Sequence, residues 1–199
     1  MEDHYQKIVD FARIHGIIRP RDLTALGFHR VALARLVQCG QLALIGRGLY
    51  ANPDRTVSEQ GTLAEVACRY PQAVVCLLSA LQFHGLTTQF PFEVWLAISN
   101  KARAPRMEYP PLRIVRFSGA ALTEGVQEYL VDCVPVRVTS VAKTVADCFK
   151  YRNKIGLDVA LEALHTSWKE KRFKMDELWH LAAVCRVANI MRPYMESLT

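Results

Sequence analysis

The first 50 residues restrict the fold more tightly than any other part of the chain. Three short amphipathic segments, each closed by a glycine, precede two apolar runs joined through Gly46-Arg47-Gly48. In the first segment Tyr5, Ile8, Phe11 and Ala12 recur at the i, i+3, i+4 spacing of a helix with one buried face, and Gly16 ends it. Pro20 then stands where a first helical turn tolerates proline, and Leu23 and Leu26 complete a short second helix that stops at Gly27. A third helix is predicted from near His29 to Cys39, with Gly40 supplying the left-handed residue that commonly follows a helix. With His29 as N-cap, Phe28 and Leu33 hold the positions of a hydrophobic staple.

On a helical wheel of the third segment Leu33, Leu36 and Val37 share one side, while Val31, Ala34, Arg35 and Gln38 share the other. The outward face is small and basic. Small residues let a backbone approach a DNA groove, and arginine and glutamine reach base edges or phosphates. Arg30 at the helix start can serve likewise, although an ordinary solvated face is the competing interpretation. The next stretch, Gly40 to Tyr50, reads as a β-hairpin whose tip leaves Arg47 as its one charged group, suited to a phosphate or a narrow minor groove. Three helices and a wing within some 50 residues make a winged helix-turn-helix. The candidate DNA contacts are Arg21, His29, Arg30, Arg35, Gln38 and Arg47. A winged helix that docks a protein instead is the alternative.

Charge agrees with a polyanionic partner. The chain carries a net +6 over 199 residues, and residues 1–55 hold 8 Lys/Arg against 5 Asp/Glu, so half the excess lies in this short piece. A hydrophobic fraction of 51% with 22% charged residues supports a packed core. The longest apolar runs are strand-sized, so no membrane span is expected, and the acidic start Met1-Glu2-Asp3 does not resemble a secretory leader. A cytoplasmic protein is expected. The six cysteines form no C-x-x-C pair and read as buried reduced thiols.

The cluster Asn52-Pro53-Asp54-Arg55 places the domain boundary, giving a DNA-binding domain over 1–55 and a larger α/β domain over 56–199. In the second, a helix opening at Thr56 or Ser58 buries Leu63, Val66, Ala67 and Tyr70. Strands are predicted at Ala73 to Leu78, Glu93 to Ser99, Leu112 to Phe117 and Val134 to Val138, with a short helix through Ser79 to Leu86. From Ser140 the pattern is helical: Ser140 to Tyr151, Gly156 to Glu170, Met175 to about Ala188, and a terminal segment around Met191 to Leu198. The fold class is α+β, a winged helix-turn-helix followed by a mixed α/β domain ending in helices.

Catalytic patterns are missing from the sequence. No acid-x-Lys triplet and no D-x-D occurs, the histidines lack metal-ligand spacing, and there is no glycine-rich phosphate loop, so no catalytic, metal or cofactor site is expected. His84 reads either as a base or as a structural residue at a helix end. Lys143 and Asp147, one turn apart, read as a local ion pair. The basic run Lys101, Arg103, Arg106, Arg113, Arg116, broken only by Glu108, is an extension of the DNA contact, a site for another anionic surface, or a solvated loop.

The wing "GRGLY", the stretch "SALQFHGLTTQFP", the block "KTVADCFKYRNKIGLDVALEAL" and the closing "MRPYMESL" together resemble the AbiEi family of type IV toxin–antitoxin antitoxins across nearly the whole chain. The resemblance implies a non-enzymatic repressor whose winged helix binds inverted repeats in double-stranded promoter DNA of its own operon. It also implies a C-terminal domain that counteracts a nucleotidyltransferase toxin without a stable complex. It supports DNA contact at Arg30, Arg35, Gln38 and Arg47. Lys143, Asp147, Tyr151, Arg152, Asn153 and Arg192-Pro193-Tyr194 match family blocks without an assigned role. The alternative is a divergent DNA-processing enzyme of the restriction-endonuclease type.

Overall fold

The structure, a computed structural model, describes residues 2–198. Its contacts divide the chain into two units, one formed by residues up to 71 together with 130–136, the other by 72–129 together with 137 onward. The boundary expected at 55/56 therefore falls inside the first unit. A further helix and a distant hairpin tip belong to that unit, and a sequence scan has no means of assigning a tip so far along the chain.

The first unit opens with α1 (Glu2–His15), a two-residue strand β1 (Ile17–Ile18), α2 (Pro20–Ala25) and α3 (Val31–Gln38). The hairpin β2 (Ala43–Gly46) and β3 (Leu49–Ala51) follows, and α4 (Gly61–Arg69) completes the run. Ile8, Ala12, Ile18, Leu23, Leu33, Leu36 and Leu42 form the core, the faces that helical periodicity selects. Each fully buried aliphatic side chain contributes about 1.5 to 3 kcal/mol. The hairpin is a wing of a three-stranded sheet, because β3 pairs antiparallel with both β2 and β1, Ile17 opposite Ala51 and Leu44 opposite Tyr50.

One local expectation changes and another gains a second reason. The third helix begins at Val31, with Arg30 rather than His29 at the N-cap and no side-chain cap bond there, so the staple positions shift by one and Phe28 instead packs onto the core directly. Gly16, at φ +68°, is required twice over. It adopts the left-handed region, and a Cβ there would stand 2.0 Å from the Asp132 carbonyl oxygen.

The larger sheet has the order β6-β5-β4-β8-β7 and belongs to the second unit except for the 130–136 tip of its β7–β8 hairpin. Its strands are β4 (Val74–Val75), β5 (Val94–Ser99), β6 (Leu112–Phe117), β7 (Val126–Val131) and β8 (Val134–Thr139). β4 runs antiparallel to β5 and parallel to β8, while β5 and β6 are parallel. The run Ala73 to Leu78, expected as one strand, yields only β4 before α5 (Leu77–Phe83) takes over. A continuous apolar run suits a buried strand and a buried helix equally, and Leu77 at φ +49° marks the switch. β7, absent from the expectation, joins β8 through the two-residue turn Asp132-Cys133, both at positive φ.

The helices are α6 (Ala120–Thr123), α7 (Val141–Lys150), α8 (Arg152–Ile155), α9 (Leu157–Lys169), α10 (Met175–Val184) and α11 (Ala188–Glu196). α7 is the centre of this unit. It packs against α5, α9, α10 and α11, and every residue from Ala142 to Phe149 is buried. Ser140 caps it by accepting the Lys143 N–H. Of the six cysteines, Cys68, Cys76, Cys148 and Cys185 are buried as expected, but Cys39 and Cys133 are exposed, because the first follows α3 and the second lies in a turn.

Candidate nucleic-acid interface

α3 has eight residues and two faces. Ala32, Leu33 and Leu36 are buried, while Val31, Ala34, Arg35 and Gln38 are exposed, as the helical wheel requires. Arg35 and Gln38 lie three apart and therefore adjacent on the helix surface, and exposed Arg30 precedes the first turn. His29 is exposed in the approach to the helix. Arg21 is exposed in the first turn of α2, with its Nε 4.0 Å from Asp22 Oδ1. Arg47 is exposed at the wing tip beside Gly48, whose φ of +71° closes the turn. All six candidate residues thus face solvent. Among the described residues no carboxylate lies within ion-pair distance of Arg30, Arg35 or Arg47.

Three supports escaped the sequence. The Tyr5 hydroxyl of α1 accepts a hydrogen bond from Arg35 Nη1 at 2.9 Å, which steadies the middle of the polar face. Arg69 of α4 donates to the Arg47 carbonyl and so fastens the backbone of the wing tip. Arg19, before α2, grips Asp22 through its Nε and Nη2, each at 2.8 Å, while its backbone N–H donates to the same carboxylate at 2.9 Å. Partial burial pushes the Asp22 carboxyl up, but those bonds and the charges of Arg19 and Arg21 outweigh it and hold the pKa below the ordinary value. The remaining guanidinium nitrogen, Arg19 Nη1, donates to the Cys68 carbonyl, which ties the start of α2 to α4. Arg19 and Asp22 form a local capping box, whereas Tyr5–Arg35, Arg69–Arg47 and Arg19–Cys68 join residues 30, 22 and 49 apart and belong to no local motif.

In the second unit, the residues weighed for chemistry take structural positions. His84 is buried, and its Nε2–H donates to the Thr139 carbonyl at 2.7 Å, at one wall of a cavity of about 450 Å³ that Tyr129, Ser140 and Arg172 also line. Burial lowers the His84 pKa below its ordinary value, and the charge of Arg172 adds to this. Lys143 Nζ lies 2.6 Å from both Asp147 oxygens, and the two side chains are 0% and 1% exposed. Burial raises the Asp147 pKa despite that charge. Among the described residues no group of three His, Cys, Asp or Glu could hold a metal ion, and no helix is long and apolar enough to cross a membrane.

Comparison with curated proteins finds no match for the chain. Residues 6–53, from α1 through the wing, match the family model described as transcriptional regulator, AbiEi antitoxin, so this segment is similar to the AbiEi antitoxin regulators.

Proposed function

We propose that the protein is a repressor that binds double-stranded DNA at inverted repeats in the promoter of its own operon, and that it is the antitoxin of a nucleotidyltransferase toxin. α3 enters the major groove with Arg30, Arg35 and Gln38, Arg47 of the wing takes the neighbouring backbone or minor groove, and Arg21 and His29 flank the contact. The observation that carries this is a helix face of exposed, carboxylate-free arginines beside a fastened wing tip, in the segment that matches a regulator family. It acts by occupancy rather than catalysis, in the cytoplasm where the promoter is. The toxin is opposed without a stable complex.

Fluorescence anisotropy on the upstream promoter fragment tests the DNA contact. Arg35→Ala and Arg47→Ala each weaken binding by about 1 to 3 kcal/mol where the residue reads a base, or reduce the salt slope by about one where it holds a phosphate. Unchanged affinity and slope in both variants would overturn the assignment, and magnesium-dependent cleavage of the fragment would overturn the non-catalytic reading. Co-expression with a neighbouring nucleotidyltransferase gene tests the antitoxin role through growth rescue.

A further inference from the structure

Three aromatic side chains of the second unit stand in solvent: Phe90 is 85%, Phe92 84% and Tyr109 73% exposed. A single exposed ring is ordinary, but a group of them calls for an occupant. The strand register makes them a group. Val94 of β5 lies opposite Leu112 of β6 in a parallel pair, and the Val94 N–H donates to the Pro111 carbonyl at 2.8 Å. Phe92 precedes Val94 by two residues and Tyr109 precedes Leu112 by three, so both enter the sheet at the same end, roughly 7 to 10 Å from the paired strand starts. Phe90 lies one residue beyond Pro91.

The same region is basic. Because β5 and β6 are parallel, the link between them must travel back the length of a six-residue strand, roughly 20 Å, and it does so without helix or strand while carrying Lys101, Arg103 and Arg106. Arg116 anchors its start, with Nη1 donating to the carbonyls of Ser99, Asn100 and Ala102 at 3.1, 2.7 and 3.0 Å. Exposed Arg113 lies with its guanidinium 5.5 Å from the Trp95 ring centroid and its Nε 3.8 Å from Glu93. From Glu93 to Arg116 five basic residues face two acidic ones, Glu93 and Glu108.

Exposed flat rings at the end of a cationic track suit a polyanion whose bases are unstacked. A duplex keeps its base faces covered and would leave the rings unused, whereas a single strand offers one π-face per nucleotide. We propose that this surface binds single-stranded nucleic acid, with bases on Phe90, Phe92 and Tyr109 and phosphates along Lys101 and Arg103. It is separate from the α3 and wing contact and does not depend on it.

The test uses the full chain carrying Arg35→Ala and Arg47→Ala, so that the outcome is distinguishable from that of the promoter experiment. Fluorescein-labelled 12-mers of uridylate and of thymidylate are titrated at low salt, and saturable binding of either is expected, their relative affinities naming the preferred sugar. Phe90→Ala, Phe92→Ala and Tyr109→Ala each weaken it by on the order of tenfold, with melting temperature unchanged, while Tyr109→Phe retains it. A 12-mer lacking bases binds at least tenfold more weakly, and Lys101→Ala with Arg103→Ala reduces the salt slope by about 1.4. Aromatic variants that bind like the parent, or a base-free strand that binds equally well, overturn the proposal. So does a dimer dispersed by Phe92→Ala with unchanged strand affinity, because a second copy then covers the rings.

Discussion

Lys143→Met leaves Asp147 as a carboxylate with no counter-charge in the middle of α7. Both side chains are essentially inaccessible, and the lysine nitrogen contacts both carboxylate oxygens at 2.6 Å. Among the described residues the carboxylate's one further hydrogen-bond partner is the Cys185 thiol, 3.3 Å from Oδ1, a weak donor. Lys143 Nζ also sits 4.6 Å from the Phe117 ring centroid, and that attraction is lost too. Removing one member of a buried pair costs about 3 to 5 kcal/mol, a large share of the roughly 5 to 15 kcal/mol of a typical domain. For a unit of roughly 120 residues this is a fall in Tm of about 12 to 20 °C. Urea titration followed by circular dichroism measures it, and the double variant Lys143→Met, Asp147→Leu should recover most of the loss, since an apolar pair of similar volume is often neutral. The deficit also depends on pH. Burial already raises the Asp147 pKa, and loss of Lys143 raises it further; a raised acid contributes stability below its unfolded pKa that is lost as pH rises through the folded one. The deficit is therefore full at neutral pH and shrinks toward pH 4. A single variant that costs less than about 1 kcal/mol at pH 7, or a double variant worse than the sum of the singles, would refute the account.

His84 gives a second pH dependence, of opposite sense. Its folded pKa is depressed by burial, so the stability it contributes is present above about pH 6.5 and lost as pH falls through the folded pKa; His84→Asn should flatten that part of the stability curve, and an unchanged slope argues against a buried neutral ring. Gly16→Ala forces a side chain into left-handed backbone and toward the Asp132 carbonyl, so the first unit should lose more than about 1 kcal/mol in thermal melts, and a neutral result would contradict the packing described there.

Local punctuation was the part of the fold most legible in the sequence. Gly16, Gly27 and Gly40 all adopt positive φ at the ends of the segments they close, because a helix stop is decided within a few residues. Pairing across the chain was less legible. Ile17 and Ile18 become a strand only because β3 lies alongside, and β7, Val-Gln-Glu-Tyr-Leu-Val, hides its register by exposing Gln127, Glu128 and Leu130. The same division holds at the candidate interface. The exposure of Arg35 and Gln38 follows from helical spacing, but the supports from Tyr5 and Arg69 span 30 and 22 residues and leave no local trace. In the basic run, Arg116 is committed to backbone carbonyls while Lys101 and Arg103 are exposed, a distinction that charge alone does not make.

The hairpin tip at 130–136 has a consequence for the order of events during synthesis. These seven residues complete the first unit, yet 58 residues separate them from the rest of it, including Ser58, whose N–H donates to Asp132, and Gly16, which packs against that residue's carbonyl. At ribosomal speeds of about 5 to 20 residues per second, the nascent regulator waits roughly 3 to 12 seconds for its last piece. The start of the chain thus ripens only after much of the second unit has been translated, and a nascent chain halted short of residue 136 carries the helix and wing without the turn that finishes their unit.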